Sequence, residues 1–220
     1  MTLWIKICGN TNLEDALLAA NAGADAVGFV FAPSPRHVTI DQVAQITPHL
    51  PATLEKIGVF VDASLEEIVL AIRTAKLTGV QLHSEIPATS ILELRNAFGP
   101  TLRILRVVHF GPQAAEQAAS FAVDPHTDAI LVDSRTATAV GGTGITFDWQ
   151  AARNTLFQNQ EARKRVVVAG GLNPNNVAQA IATLYPWGVD VVSGVEALPG
   201  RKDPAKVRAF IANARAAKLH

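Results

Sequence analysis

At 220 residues, with 49% hydrophobic and 17% charged residues against the roughly 25% charged typical of soluble domains, the chain can bury one sizeable core, and a single domain over 1–220 is expected. Nineteen basic and nineteen acidic residues cancel, which excludes the broad positive field that nucleic acid or an anionic membrane surface requires and leaves small-molecule chemistry. No run approaches the roughly 18 apolar residues of a spanning helix, and Met1 to Lys6 has no basic stretch followed by an apolar one, so no membrane association is expected and a cytoplasmic location is.

The first strand is predicted over Trp4 to Ile7 and is followed at once by Cys8, the chain's only cysteine. A lone cysteine excludes an intrachain disulfide and any multi-cysteine metal cage. A helix over Leu13 to Ala22, capped by Asn12, leads to a second strand, Ala26 to Phe29, and a helix over Ile40 to His49 leads to a third, Lys56 to Phe60. Ser64, with Glu67 three residues on, opens a helix over Leu65 to Ala75. Strands over Gly79 to Leu82, Arg103 to Val107 and Ala129 to Val132 then alternate with helices over Ile86 to Phe98, Pro112 to Phe121 and Trp149 to Asn159. The pattern finishes with a strand over Val166 to Val168, a helix over Pro174 to Tyr185 capped by Asn173, a strand over Val189 to Val192, and a helix over Pro204 to Ala217 capped by Asp203. Gly23, Gly79 and Gly188 each lead from a helix into a strand, as expected of a repeated small unit.

Eight βα units with right-handed crossovers close into a barrel more readily than they form an open doubly wound sheet. The expected fold is a single-domain (β/α)8 TIM barrel, eight parallel strands ringed by helices. A dinucleotide-binding sheet would carry GxGxxG after its first strand, and Cys8-Gly9-Asn10-Thr11 does not, so no nicotinamide cofactor is expected. The six histidines show neither HExxH nor His-x-His spacing, so no metal is expected.

In such a barrel catalytic groups sit just past the C-terminal ends of the strands. That rim receives Cys8, with Lys6 two residues before it, then Arg36 in the proline-held loop Ala32 to His37, where a guanidinium could clamp a carboxylate with two parallel hydrogen bonds. His83 and Arg106 follow, either lining the pocket or satisfying barrel polar groups, strand five also contributes His109, and the sixth strand ends in Asp133. The glycine-rich stretch Gly141 to Gly144 is suited to approach an anion, to act as a lid or merely to turn. Gly170 and Gly171 after strand seven, with Ser193 and Gly194 after strand eight, have the composition of the phosphate site that barrels commonly build there, which implies a phosphorylated substrate.

The segments KICGNTN (6–12), FAPSPRHV (31–38), GVFVD (58–62), VQLHSE (80–85), LVDS (131–134), GGTGITFDW (141–149), AGGLNPNNV (169–177) and VDVVSGVEALPGRKD (189–203) together resemble the phosphoribosylanthranilate isomerase family of tryptophan biosynthesis, in its order and across essentially the whole chain. The resemblance implies Cys8 as general base, Asp133 as general acid, Arg36 as the group that binds the anthranilate carboxylate, and Gly170, Gly171, Ser193 and Gly194 as the phosphate loops. Val192 stands where many members have a serine, which removes one hydroxyl from that loop. Asp190 is left between a bond to a substrate hydroxyl and a structural role.

The reaction so implied is an Amadori rearrangement of N-(5-phosphoribosyl)anthranilate to 1-(2-carboxyphenylamino)-1-deoxyribulose 5-phosphate. Ring opening needs an acid that stays protonated, so Asp133 is expected above the reference of roughly 3.9. Removal of the C2 proton needs a base, and Lys6 or the substrate iminium is expected to favour the Cys8 thiolate over its reference of roughly 8.5. No cofactor is required, because the substrate nitrogen is electron source and sink. Another phosphosugar barrel enzyme, an epimerase or lyase, and a non-catalytic barrel that binds a phosphorylated metabolite remain alternatives. The chain is expected to act as monomer or homodimer.

Overall fold

Runs of β-branched residues four to seven long are too short to be stable alone, and each becomes a strand here by pairing in parallel with the run one helix later. The computed structural model describes residues 2–83, 86–133, 148–157 and 165–217. In chain order the elements are β1 (Trp4–Ile7), α1 (Leu13–Asn21), β2 (Ala26–Val30), α2 (Ile40–Ile46), β3 (Glu55–Phe60), α3 (Leu65–Thr74), β4 (Gly79–Leu82), α4 (Ala88–Phe98), β5 (Arg103–His109), α5 (Ala114–Val123), β6 (Ala129–Asp133), α6 (Trp149–Ala152), β7 (Arg165–Val168), α7 (Val177–Leu184), β8 (Gly188–Val191), β9 (Glu196–Leu198), β10 (Arg201–Lys202) and α8 (Pro204–Ala216). Strands β1 to β8 close into a barrel in sequence order, and β1 pairs with β8 over Trp4 to Ile7.

Alternation along each strand separates two cores. On β1, Ile5 and Ile7 face outward and pack with helix residues such as Ala16, Ala19, Phe210 and Ile211. Trp4 faces the axis with Ala26, Ile57, Leu105, Leu131 and Val167, and it stacks on Trp187 at 5.1 Å. The same alternation carries Lys6 and then Cys8 up the inner wall above Trp4. The lower barrel is therefore apolar and its upper layers are polar, which is the gradient that positions a site.

Several element ends differ from the expectation. Helix α2 stops at Ile46 and continues as a 3₁₀ turn over Thr47–His49, because Pro48 has no amide hydrogen for the next helical bond. Helix α4 begins at Ala88 after Pro87, and α5 begins at Ala114. Helix α7 begins at Val177 rather than Pro174. Asn173 caps no helix: its side chain accepts from the Asn175 amide at 2.9 Å, while its own amide donates to Asn176 Oδ1 at 2.8 Å. Such side chains compete with the backbone and keep 173–176 in a turn. The sixth helix shows α6 and a π-helical turn over Arg153–Phe157, and its predicted end at Asn159 lies outside the described residues. Strands β9 and β10 form an antiparallel hairpin that was not anticipated, turned by Pro199 and Gly200, the latter at φ 80°.

Candidate active site

Because β1 to β8 are parallel, their C-terminal ends share one rim. Asp133 ends β6, and Gly170 and Gly171 follow β7. Ser193 and Gly194 follow β8, Cys8 follows β1, and Arg36 lies after β2. These five strands are consecutive in the closed ring, in the order β6, β7, β8, β1, β2, so the residues singled out from the sequence form one unbroken arc. His83 and His109 continue the rim beyond Asp133, after β4 and at the end of β5, with ring centroids 5.9 Å apart. His109 is the register partner of Asp133. The Gly141 to Gly144 stretch lies outside the described residues.

The loops after β7 and β8 touch through backbone. Gly170 and Gly171 have φ of 83° and 65°, a region that favours glycine. A Cβ on Gly194 would lie 1.9 Å from the Leu172 carbonyl oxygen, so only glycine lets the two loops approach this closely. Ser193 opens a three-residue 3₁₀ turn, Ser193–Val195.

Cys8 is buried, and its amide donates to the Val191 carbonyl at 2.9 Å, which ties it to β8. Burial pushes its thiol up and outweighs the pull of the Lys6 ammonium, while Asp190 adds to the push. Lys6, fully buried below it, donates to Gln81 Oε1 at 2.8 Å and Asp190 Oδ1 at 3.0 Å. Burial pulls Lys6 down, but Asp190 and Cys8 more than offset it, so Lys6 stays an ammonium. Asp190 thus has a structural partner in the barrel wall.

Arg36 makes its two parallel bonds not to a ligand, as expected, but to a carboxylate of the protein itself, Glu196: Nε to Oε1 at 2.9 Å and Nη2 to Oε2 at 2.7 Å. This uses one edge of the guanidinium and leaves the Nη1 hydrogens outside the pair. Its stem crosses Gly9, where a Cβ would lie 2.9 Å from Arg36 Cδ, so the clamp sits against the Cys8 loop. Glu196 also accepts from the Gly200 amide at 3.2 Å and Lys202 Nζ at 3.3 Å. Burial opposes ionisation of Glu196, yet the bonds from Arg36 and the Lys202 charge hold it below the usual carboxylate range. Lys202 is likewise buried and donates to the Cys8 carbonyl at 2.6 Å and the Val192 carbonyl at 3.3 Å, pinning the ends of β1 and β8 together.

The sequence does not single out Glu196 and Lys202, although Pro199-Gly200 between them is a legible turn signal. The hairpin pairs Lys202 with Glu196 across its two strands. That cross-strand pairing is what makes them neighbours, and it needs the register as well as the turn.

The described helices include none long and apolar enough to cross a membrane, and no group of three or more metal-ligating side chains occurs among the described residues. Residues 5–213 match the family model described as N-(5'phosphoribosyl)anthranilate (PRA) isomerase. An N-(5'-phosphoribosyl)anthranilate isomerase from Citrifermentans bemidjiense is 45% identical over 213 residues, covering 96% of each chain. A phosphoribosyl anthranilate isomerase from Thermotoga maritima superposes with a TM-score of 0.82 at 38% identity, over 96% of this chain and 98% of that one. A phosphoribosyl anthranilate isomerase solved with reduced 1-(o-carboxyphenylamino)-1-deoxyribulose 5-phosphate superposes at 0.81 and 36% identity, again over 96% and 98%. The barrel, the motifs along it and these full-length matches agree: the chain belongs to the N-(5'-phosphoribosyl)anthranilate isomerase family.

Proposed function

We propose that this chain converts N-(5-phosphoribosyl)anthranilate to 1-(2-carboxyphenylamino)-1-deoxyribulose 5-phosphate in tryptophan biosynthesis. The observation that carries the reading is the continuous rim arc in which Asp133 and Cys8 stand at the ends of β6 and β1, with the paired glycine loops of β7 and β8 between them. A substrate with its phosphate in those loops spans from an acid on one side to a base on the other.

Asp133 protonates the furanose oxygen as the anilinic nitrogen pushes electrons into C1 and the C1–O bond breaks. The resulting iminium acidifies C2–H. The Cys8 thiolate takes that proton, the C–H pair becomes the C1–C2 double bond, and the iminium pair returns to nitrogen. Ketonisation then breaks the C2 O–H bond, forms the C2 carbonyl and places a proton on C1, so the sum is an isomerisation with no external redox partner. Burial makes the thiolate scarce but a stronger base, and the arriving iminium charge favours its formation. Arg36 offers the Nη1 side of its guanidinium to the anthranilate carboxylate while Glu196 holds the other edge. Gly170, Gly171, Ser193 and Gly194 receive the phosphate through backbone amides, and the missing hydroxyl at Val192 is thereby tolerated.

Loss of the fluorescence of freshly made phosphoribosylanthranilate tests this directly. Wild type should turn over, and Cys8→Ser and Asp133→Asn should each lose about 10² to 10⁴ in kcat. No turnover by wild type sinks the reaction; near-full kcat in both variants sinks the roles.

A further inference from the structure

One buried charge cluster lies directly beneath the proposed base and is not accounted for by the reaction steps above. Lys6 has three ammonium hydrogens; two go to Gln81 Oε1 and Asp190 Oδ1, and the third is committed to neither. The fit of the Cys8 sulfur is set by β2. At Gly28 a Cβ would lie 2.5 Å from Cys8 Sγ and 2.9 Å from Lys6 Cε, so the thiol and the lysine stem both pack into the place a side chain at 28 would need, and only glycine lets them do so together.

The orientation of the cluster is also determined. An ammonium can only donate, so the Gln81 carbonyl faces Lys6 and its amide nitrogen faces His83 Nε2, 2.8 Å away. His83 Nε2 must then accept, which puts the ring proton on Nδ1. Gln81 is therefore held at both ends and cannot flip without setting two donors against each other. Stability does not account for this arrangement. A buried ion pair is often no better than apolar residues of equal volume, and Leu131 and Val167 fill the inner wall one layer below.

We propose that Lys6, aimed by Asp190 and Gln81, is the positioning residue of the general base, setting a fixed positive charge beside the Cys8 sulfur where both pack against Gly28. The inference rests on the base role of Cys8 proposed above. Lys6 passes no proton; it changes how readily the sulfur gives one up. The charged groups facing that sulfur are Lys6 on its own strand, Asp190 from β8, Lys202 from β10 and Arg36 from the loop after β2, while β2 itself presents only Gly28. Of these Lys6 exerts the largest pull toward the thiolate, and Asp190 opposes it.

The chain has one cysteine, so its thiolate absorbance and its alkylation by iodoacetamide report Cys8 alone once the Cys8→Ser signal is subtracted at each pH. Lys6→Met should move the titration midpoint up by about 1 to 3 pH units, because an attracting charge is lost while the repelling Asp190 stays. Lys6→Met with Asp190→Asn, which leaves no unpaired buried charge and so protects folding, should also move it up, but less. The rise of kcat with pH should follow the midpoint in each protein. A disturbance that merely opened the pocket would relieve burial and move the thiol down, so a midpoint at or below wild type in either variant overturns the inference. The titration needs no substrate, and its result therefore stands apart from whether the isomerase reaction is observed.

Discussion

The guanidinium of Arg36 has two hydrogen-bonding edges, and the protein uses one of them itself. Its Nε–Nη2 edge is committed to Glu196, so its orientation is fixed before any ligand carboxylate meets the other. Glu196→Gln should loosen that aim and raise KM by about tenfold, roughly 1.4 kcal/mol, with a smaller change in kcat; an unchanged KM in steady-state assays removes Glu196 from this role. The pH dependence has a definite sign. A carboxylate held below its ordinary range contributes its stabilisation above that range and loses it as pH falls through the lowered value, so the clamp should persist through neutral pH and weaken only below the usual carboxylate range. The rim placement of Cys8 and Asp133 is legible in the sequence because a residue at the end of a barrel strand has only one place to be. The positions of Glu196 and Lys202 are not, since nothing local to 196–202 reveals that both charges will be buried against β1 and Arg36.

Helix ends and caps show the same division between local and distant causes. Ser64 was readable as a cap because its partner is three residues away, and α3 does carry a reciprocal capping box in which the Ser64 hydroxyl accepts from the Glu67 amide at 3.2 Å and the Glu67 carboxylate accepts from the Ser64 amide at 2.8 Å. Ser64→Ala should cost about 1 kcal/mol, or about 2 to 4 °C in Tm by thermal unfolding, and leave kcat alone because α3 follows β3, outside the site arc. Helix α7 begins three residues later than its sequence suggests since a run of asparagines about a proline offers the backbone rival partners, and which one wins depends on Asn176 reaching the Gly171 carbonyl at 3.0 Å. That same bond anchors the glycine loop proposed to receive phosphate. The hairpin of β9 and β10 was missed because strands of three and two residues carry too little periodicity to register.

For the whole molecule, the eight-strand count was legible because the βα alternation is regular, and the closure that follows from it joins the first and last barrel strands. The proposed site straddles that seam: Lys6 meets Asp190, and Lys202 meets the Cys8 carbonyl, across separations of 184 and 194 residues. Arg215 of α8 donates to the Leu3 carbonyl, so the two described ends lie side by side. A circular permutant that joins them by a short linker and opens the exposed turn at Pro100 and Thr101, between α4 and β5, should fold and keep kcat within about tenfold, because β6 to β2 then run as one unbroken stretch of chain. Loss of turnover in a folded permutant, judged by circular dichroism, counts against that arc being sufficient.

The seam has a consequence for how the protein comes into being. A ribosome moving from N- to C-terminus makes Lys6 184 residues before Asp190, with Glu196 and Lys202 later still. Until then the lysine at the heart of the barrel has no carboxylate to neutralise it and the first strand has one open edge. Competence therefore arrives in a single late event, and a nascent chain cut short before β8 is an exposed strand edge for the quality-control machinery to handle rather than a weaker enzyme.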